Sequence, residues 1–177
     1  MSEDGAVSTW GLVRRADAPS GWTLTQIHTL RAHNAPVTAF APSQRVKGFV
    51  TGDMKGNLFL HHATSSQTLL RLANSEFPIR AVAFAPKGDG LIALDGAGQL
   101  SLYQVQNAYP EVTLETLFAK VWYEGYDQPA HVWQSSSGSD DVEPKLGLLP
   151  LAFGTLKGTM YALFLAVPIA ILAAMCT

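Results

Sequence analysis

Two stretches decide the fold. The first is Pro36-Val-Thr-Ala-Phe-Ala-Pro-Ser-Gln-Arg-Val-Lys-Gly-Phe-Val-Thr-Gly-Asp-Met-Lys-Gly-Asn-Leu-Phe-Leu-His-His62. The second is Arg80-Ala-Val-Ala-Phe-Ala-Pro-Lys-Gly-Asp-Gly-Leu-Ile-Ala-Leu-Asp-Gly-Ala-Gly-Gln-Leu-Ser-Leu-Tyr-Gln104. Ala-Phe-Ala-Pro at 39–42 recurs at 83–86, a shift of 44 residues. The pattern Asp53-x-x-Gly56-x-Leu58-x-Leu60 recurs as Asp95-x-x-Gly98-x-Leu100-x-Leu102, a shift of 42. Val37, Ala39 and Ala41 alternate with Thr38 and Phe40, the period of a strand. The Asp-to-Gly stretches read as tight turns, with glycine at positive φ and aspartate bonding the local backbone. After each turn, Leu58 and Leu60 point to one face and Phe59 to the other, as in a strand packed on both sides. Residues 67–72 and 112–118 read as the outer strands of the two units.

A period of about 40–45 residues with four short strands per unit resembles the blade of a WD40-type β-propeller. Residues 3–10 resemble a turn plus the third strand of an earlier blade, and residues 22–30 its outer strand. His33-Asn-Ala-Pro-Val37 stands where many such blades carry a Gly-His turn. The likeness covers residues 3–118, about two and a half blades. It departs from the pattern at the Trp-Asp dipeptide that ends the usual third strand: His61-His62 and Tyr103-Gln104 stand there. The alternative is an unrelated antiparallel meander. A propeller closes with about four to eight blades, and an open set leaves exposed edges. The expectation is therefore a fragment of a longer protein, favoured by the incomplete first blade, or closure by self-association.

From Gly158 to Thr177 there are twenty residues without a charge. As a helix they reach roughly 30 Å, the thickness of a bilayer's hydrocarbon core. Before them come three other kinds of segment. Residues 120–133 hold Trp122, Tyr123, Tyr126 and Trp133, aromatics suited either to a bilayer boundary or to capping the sheets. Residues 134–143 are a polar Ser/Asp linker. Residues 144–157 are apolar but interrupted by Gly and Pro, and read as an interfacial element with Lys157 at the helix mouth. The expected organisation is thus propeller-like repeats at 1–118, a connector and linker at 119–145, and an interfacial segment with the membrane helix at 146–177. The fold class is mainly β, with partial antiparallel four-stranded blades followed by a C-terminal transmembrane helix.

Residues 143–170, Glu-Pro-Lys-Leu-Gly-Leu-Leu-Pro-Leu-Ala-Phe-Gly-Thr-Leu-Lys-Gly-Thr-Met-Tyr-Ala-Leu-Phe-Leu-Ala-Val-Pro-Ile-Ala, resemble the start of the permease domain in phosphate ABC transporter permeases. In that family a Pro-Leu-x-x-Gly-Thr-Leu stretch opens the second membrane helix and Ala-Val-Pro lies within it. Here these are residues 150–156 and 166–168. The aromatic run ending at Trp133 is similar to the segment that precedes this helix. The likeness covers about residues 120–177. The family's first helix, its four or more later helices and its ATPase-docking loop are not in this sequence. Some members carry a large propeller-like insertion between the first two helices. The resemblance implies a bacterial inner-membrane importer of inorganic phosphate, with the soluble part on the periplasmic side. It implies as partners a second permease subunit, cytoplasmic ATPase subunits and a periplasmic phosphate-binding protein, besides the lipid bilayer. A membrane-anchored propeller acting as an interaction scaffold is the rival reading.

Composition narrows the rest. The formal net charge is −2 and no Lys/Arg run exists, which gives nucleic-acid binding no support. Cys176 is the only cysteine, so no disulfide framework forms within the chain. The acidic start at residues 1–6 lacks the apolar core of a signal peptide. His28 and His33 flank a strand end, and His61 and His62 face opposite sides of a strand, so the histidines do not read as a metal site. Asp53 and Asp95 read as turn residues rather than paired carboxylates. Ser135, Ser136 and Ser137 with His131, Asp140 and Asp141 sit in a linker without a nucleophile elbow, and there is no Walker A loop. The chain reads as a non-enzyme, with no catalytic, cofactor-binding or metal residue assigned. Pro168 is a kink candidate within the helix.

Overall fold

The computed structural model describes residues 3–73, 75–106, 109–135 and 144–176. Three antiparallel sheets follow one another along the chain. The first pairs β1 (Val7–Arg14) with β2 (Trp22–Leu30); the second runs β3 (Val37–Pro42), β4 (Gly48–Asp53), β5 (Asn57–His62), β6 (Gln67–Ala73); the third runs β7 (Ile79–Phe84), β8 (Gly90–Asp95), β9 (Leu100–Gln104). After them come a short helix α1 (Leu114–Phe118), a two-stranded ribbon of β10 (Trp133–Gln134) and β11 (Lys145–Leu146), and a long helix α2 (Leu149–Met175). The molecule is mainly β, as the alternating pattern leads one to expect.

The second and third sheets repeat each other pair for pair. Val37 opposes Asp53, Ala41 opposes Val50 and Pro42 opposes Phe49. Ile79 opposes Asp95, Ala83 opposes Ile92 and Phe84 opposes Leu91. Gly48–His62 and Val50–Leu60 likewise become Gly90–Gln104 and Ile92–Leu102. Even the bulge recurs, between Val37 and Ala39 and between Ile79 and Ala81. Every pair is displaced by one and the same shift, that of the Asp-x-x-Gly-x-Leu-x-Leu pattern. This corrects the stronger-looking sequence match: Ala-Phe-Ala-Pro, with its longer shift, is out of structural register. Phe40 corresponds to Val82, and Phe84 to Pro42. Phe40 is accordingly 55% exposed, whereas Phe84 packs against the core.

The main core lies between the second and third sheets. Ala39, Ala41, Val50 and Leu58 from one meet Ile79, Leu91 and Ala93 from the other. Ala39 and Ala41 on one side and Ala93 on the other let the sheets approach closely. At Gly52 the approach is tightest: a Cβ there would lie 2.5 Å from Ile79 Cγ2. The Thr38 hydroxyl donates to the Ile79 carbonyl at 2.6 Å, a polar tie across the same seam. A smaller cluster of Val7, Leu30, Val37 and Phe49 joins the first sheet to the second. Among the described residues the three sheets form an open series rather than a closed ring. Trp10, Leu12, Trp22 and Leu24 are exposed at one end, and Ile92, Leu100 and Leu102 at the other.

Two sequence expectations fail. Residues 112–118 do not form an outer strand, so the third sheet has three strands. Thr113 instead caps α1: its hydroxyl accepts from Thr116 N–H, and the Thr116 hydroxyl accepts from Thr113 N–H. This reciprocal cap satisfies two of the free donors at a helix start, and it outweighs the β-branched composition of the segment. The C-terminal apolar helix starts at Leu149 rather than Gly158. Pro150 falls in its first turn, where the missing N–H costs nothing. Gly154 and Gly158 lie within it without ending it. Residues 149–157 are thus helical, and Lys157 sits inside the helix with its ammonium 5.7 Å from the Tyr161 ring centre.

The aromatic connector lies against the first sheet. Val121 and Tyr123 are buried, Trp122 and Tyr126 half-buried, and Trp122 Nε1–H donates to the Tyr126 carbonyl at 2.8 Å. Trp122, Tyr123 and Tyr126 thus cap the first sheet, whereas Trp133 is exposed in β10. The register makes a testable distinction. Phe84→Ala should cost about 2–3 kcal/mol and Phe40→Ala less than about 1 kcal/mol. Denaturant unfolding of the full chain in detergent checks this; equal losses at the two phenylalanines would contradict the 42-residue register.

Candidate functional site

The turn between β4 and β5 is built on one carboxylate. Asp53 Oδ1 accepts from Lys55 N–H at 2.9 Å and Asn57 N–H at 2.8 Å. Asp53 Oδ2 accepts from the Asn57 side-chain amide at 2.8 Å and His33 Nδ1–H at 2.9 Å. Gly56 closes the turn at φ +80°, and a Cβ there would collide with the Ser75 carbonyl. Burial pushes the Asp53 carboxyl upward. The donors from Asn57, His33 and Lys55 outweigh it and hold the group below its ordinary value.

From Asp53 a buried chain of polar groups crosses the second sheet. His33 Nε2 lies 2.7 Å from Thr51 Oγ1, which lies 3.0 Å from His61 Nε2; His61 Nδ1 lies 3.0 Å from Thr68 Oγ1. Matching donors to acceptors gives one consistent set of protons. The carboxylate fixes the His33 proton on Nδ1. The Thr51 hydroxyl then donates to His33 Nε2 and accepts from His61 Nε2–H, and the Thr68 hydroxyl donates to His61 Nδ1. Aromatic faces keep water out. His33 stacks on Phe59 with centroids 3.9 Å apart, and Phe49 stacks on His61 at 4.9 Å. His61, Asp53 and Thr51 are all buried.

Beyond it, His62 is buried on the opposite side of β5. Its Nδ1 accepts from Ser65 N–H at 3.3 Å, while Ser65 Oγ donates to the Pro110 carbonyl at 3.2 Å. The adjacent histidines therefore do not converge, as the strand period requires. Desolvation by burial lowers both pKa values from 6.5 to about 4, and at His61 the neighbouring His33 adds to the lowering, because two imidazoles so close disfavour a second positive charge. His28 is also lowered, mainly by burial.

The third sheet keeps the turn and loses the chain. Asp95 Oδ1 accepts from Ala97 and Gln99 N–H, both at 2.9 Å, as Asp53 does from Lys55 and Asn57. Ser75, the repeat equivalent of His33, donates its hydroxyl to Asp95 Oδ2 at 2.6 Å. This bond, foremost, holds the Asp95 carboxyl below its ordinary value against the opposing effect of burial. Thr51 is replaced by Ala93 and His61 by Tyr103, so the relay ends at the serine. Asp53 and Asp95 are thus turn residues, as their spacing indicates.

Chemically, a hydroxyl between two imidazoles resembles an activated nucleophile. With its three members buried, however, it presents no atom to a substrate. It acts as a polar seam tying the 31–36 loop to β4, and β5 to β6. Sequence reasoning missed this chain. The available signal was a donor recurring at one fixed separation before each aspartate, His33 before Asp53 and Ser75 before Asp95. Among the described residues no group of three or more His, Cys, Asp or Glu converges on a possible metal position. His131 stands in the connector with its Nδ1 buried. Of the linker residues named with it, Ser135 is exposed, and Ser136, Ser137, Asp140 and Asp141 lie outside the described residues.

The second candidate element is α2. At ~1.5 Å per residue its 27 residues extend about 40 Å, and its most apolar window has a mean hydropathy of 2.0. It is long and apolar enough to span a membrane. None of its described side chains is buried in the protein, and Leu163, Phe164, Leu165, Ile169 and Ile171 are all exposed. No family model and no curated protein sequence matches the chain.

Two outcomes follow. Thr51→Val keeps the shape but strands two buried imidazole nitrogens, and should cost about 2–4 kcal/mol in denaturant unfolding. The histidines set the pH response. A base whose pKa falls on folding binds fewer protons in the native state, so its stabilising effect is complete above the unfolded value of 6.5. It is lost as pH falls towards 4, by at most about 3 kcal/mol per ring. Melting temperature should therefore drop between pH 7 and pH 4.5, and drop less in His62→Asn. A melting temperature flat across that range would contradict the burial of both rings in neutral form.

Proposed function

We propose that this chain is part of the membrane permease subunit of an ABC importer for inorganic phosphate. The sheets are its extramembrane, propeller-like domain, and α2 is the first helix of its permease domain. One observation carries the reading: the Pro-Leu-x-x-Gly-Thr-Leu run at 150–156 and the Ala-Val-Pro at 166–168 lie on a single unbroken apolar helix, Leu149–Met175. In this reading the helix packs in the bilayer against further helices of the permease and of a second permease subunit. Cytoplasmic ATPase subunits drive transport, and a periplasmic phosphate-binding protein delivers the anion. The membrane is the bacterial inner membrane, with the sheets on the periplasmic side. Pro168 leaves the Phe164 carbonyl without an intrahelical donor, which gives the helix a place to bend within a moving bundle.

A membrane-anchored interaction scaffold is the second reading. It is favoured by the presence of one candidate span among the described residues. Uptake of radioactive phosphate from micromolar external concentration separates the two. Deleting the gene should abolish high-affinity phosphate uptake and leave sulfate uptake intact, with recovery on complementation. Unchanged phosphate uptake in the deletion strain would contradict the transport reading and leave the scaffold.

A further inference from the structure

The outer edge of the third sheet is open, and its chemistry differs from that of a protected edge. In the second sheet β6 covers β5, with Leu58 opposite Leu72 and Leu60 opposite Leu70. The equivalent place beside β9 holds no strand among the described residues. Asp95 N–H donates to the Gln99 carbonyl and Val105 N–H to the Asp89 carbonyl. Residues 99, 101, 103 and 105 thus turn their backbone groups towards β8. By the alternation of an antiparallel ladder, Leu100, Leu102 and Gln104 direct theirs outward. Natural edge strands are blunted by charges, proline or bulges. The Leu100-Ser-Leu-Tyr-Gln104 strand has no charge and no proline, and its ladder with β8 runs without a register shift. The edge at the opposite end, β1, carries Arg14 and Gly11 and is interrupted by a bulge at Thr9/Trp10.

The side chains agree. Leu100 is 56% exposed and Leu102 70%, at the repeat equivalents of the buried Leu58 and Leu60. On the opposite face of β9, turned towards the second sheet, a cleft of about 540 Å³ lies between β6 and β9, walled by Leu70, Leu72, Leu91, Tyr103 and Val105. The chain's own segment that would fill the place by repeat is held elsewhere. That segment is residues 109–115: the Pro110 carbonyl accepts from Ser65 Oγ at 3.2 Å, and Thr113 to Glu115 belong to the capped start of α1, whose Leu117 carbonyl accepts from Leu148 N–H at 2.8 Å.

We propose that the free edge of β9 is a strand-accepting site, taking an extended segment of a partner polypeptide that is apolar at alternate positions. The β6–β5 register supplies its chemistry. Aliphatic side chains stand opposite Leu100 and Leu102, as Leu72 and Leu70 stand opposite Leu58 and Leu60. A polar or cationic one stands opposite Ser101, as Arg71 stands opposite Phe59. Backbone hydrogen bonds to Leu100, Leu102 and Gln104 supply the affinity, as in other strand additions. This site does not depend on the transport reading.

The probe is a fluorescein-labelled peptide with the sequence of β6, Gln-Thr-Leu-Leu-Arg-Leu-Ala, titrated into the full chain in lipid nanodiscs and read by anisotropy. Saturable binding is expected, with slowed amide exchange across residues 100–104. Leu102→Lys, at an exposed position that leaves the fold intact by circular dichroism, should weaken binding by about tenfold or more. N-methylating the peptide's ladder amides should do the same. Leu12→Lys at the far end should leave binding within about twofold of the parent, as expected for an exposed position outside the site. Absence of saturable binding would overturn the proposal. So would loss of binding with Leu12→Lys but not Leu102→Lys. Amides at 100, 102 and 104 already protected in the free chain would overturn it too, by showing that the chain's own 109–115 segment covers the edge.

Discussion

The Asp53 carboxylate is the constraint on which the second sheet depends. Four donors converge on its two oxygens, from the β4–β5 turn and from the loop before β3. A buried carboxylate is tolerated only when its lone pairs are filled, so the turn, the His33 loop and the carboxylate stand or fall together. Once His33 is fixed, its second nitrogen dictates a donor at Thr51, and Thr51 in turn dictates the orientation of His61. One charge thereby sets the geometry of three strands. In the third sheet a shorter version, Ser75 to Asp95, fixes the turn but orders nothing further.

The sheets and the helix answer to different solvents. The sheets bury their apolar faces on one another, with Gly52 admitting Ile79 at the central seam. The helix buries nothing against them, and its leucines and isoleucines stand exposed on a span long and apolar enough to cross a membrane. Between the two, the connector covers the first sheet with Val121 and Tyr123, and the Leu148–Leu117 bond ties α2 to α1. The bond from Gly147 N–H to the Val132 carbonyl at 2.9 Å and the β10–β11 ribbon tie the same helix start to residues preceding the linker.

Much of this was legible in the sequence, and what was not has physical reasons. The alternation, the two Asp turns and the outer strand β2 follow from local chemistry, and the structure places them where that chemistry points. The Ala-Phe-Ala-Pro match misled because identity between short apolar runs carries no register. Register is set by the bulge after Val37 and by the turns, which keep the 42-residue shift. Residues 112–118 misled because strand propensity is weak against a two-way threonine cap. Gly154, Gly158 and Pro150 suggested a broken entry to the C-terminal helix. Proline in a first turn and glycines among good helix formers do not end a helix that has no competing partner. The polar chain through Thr51 was hidden because His33, Thr51, Asp53 and His61 come from a loop and two different strands, at separations that no local pattern reports.

Native-state hydrogen exchange on two variants tests the central role of Asp53 most directly. Asp53→Ala should release protection throughout β3–β6 and at the β3–β7 seam together, whereas Asp95→Ala should release it only around β8 and β9. Equal and local effects from the two substitutions would contradict the account, by showing that the buried chain from His33 to Thr68 adds nothing to a simple turn.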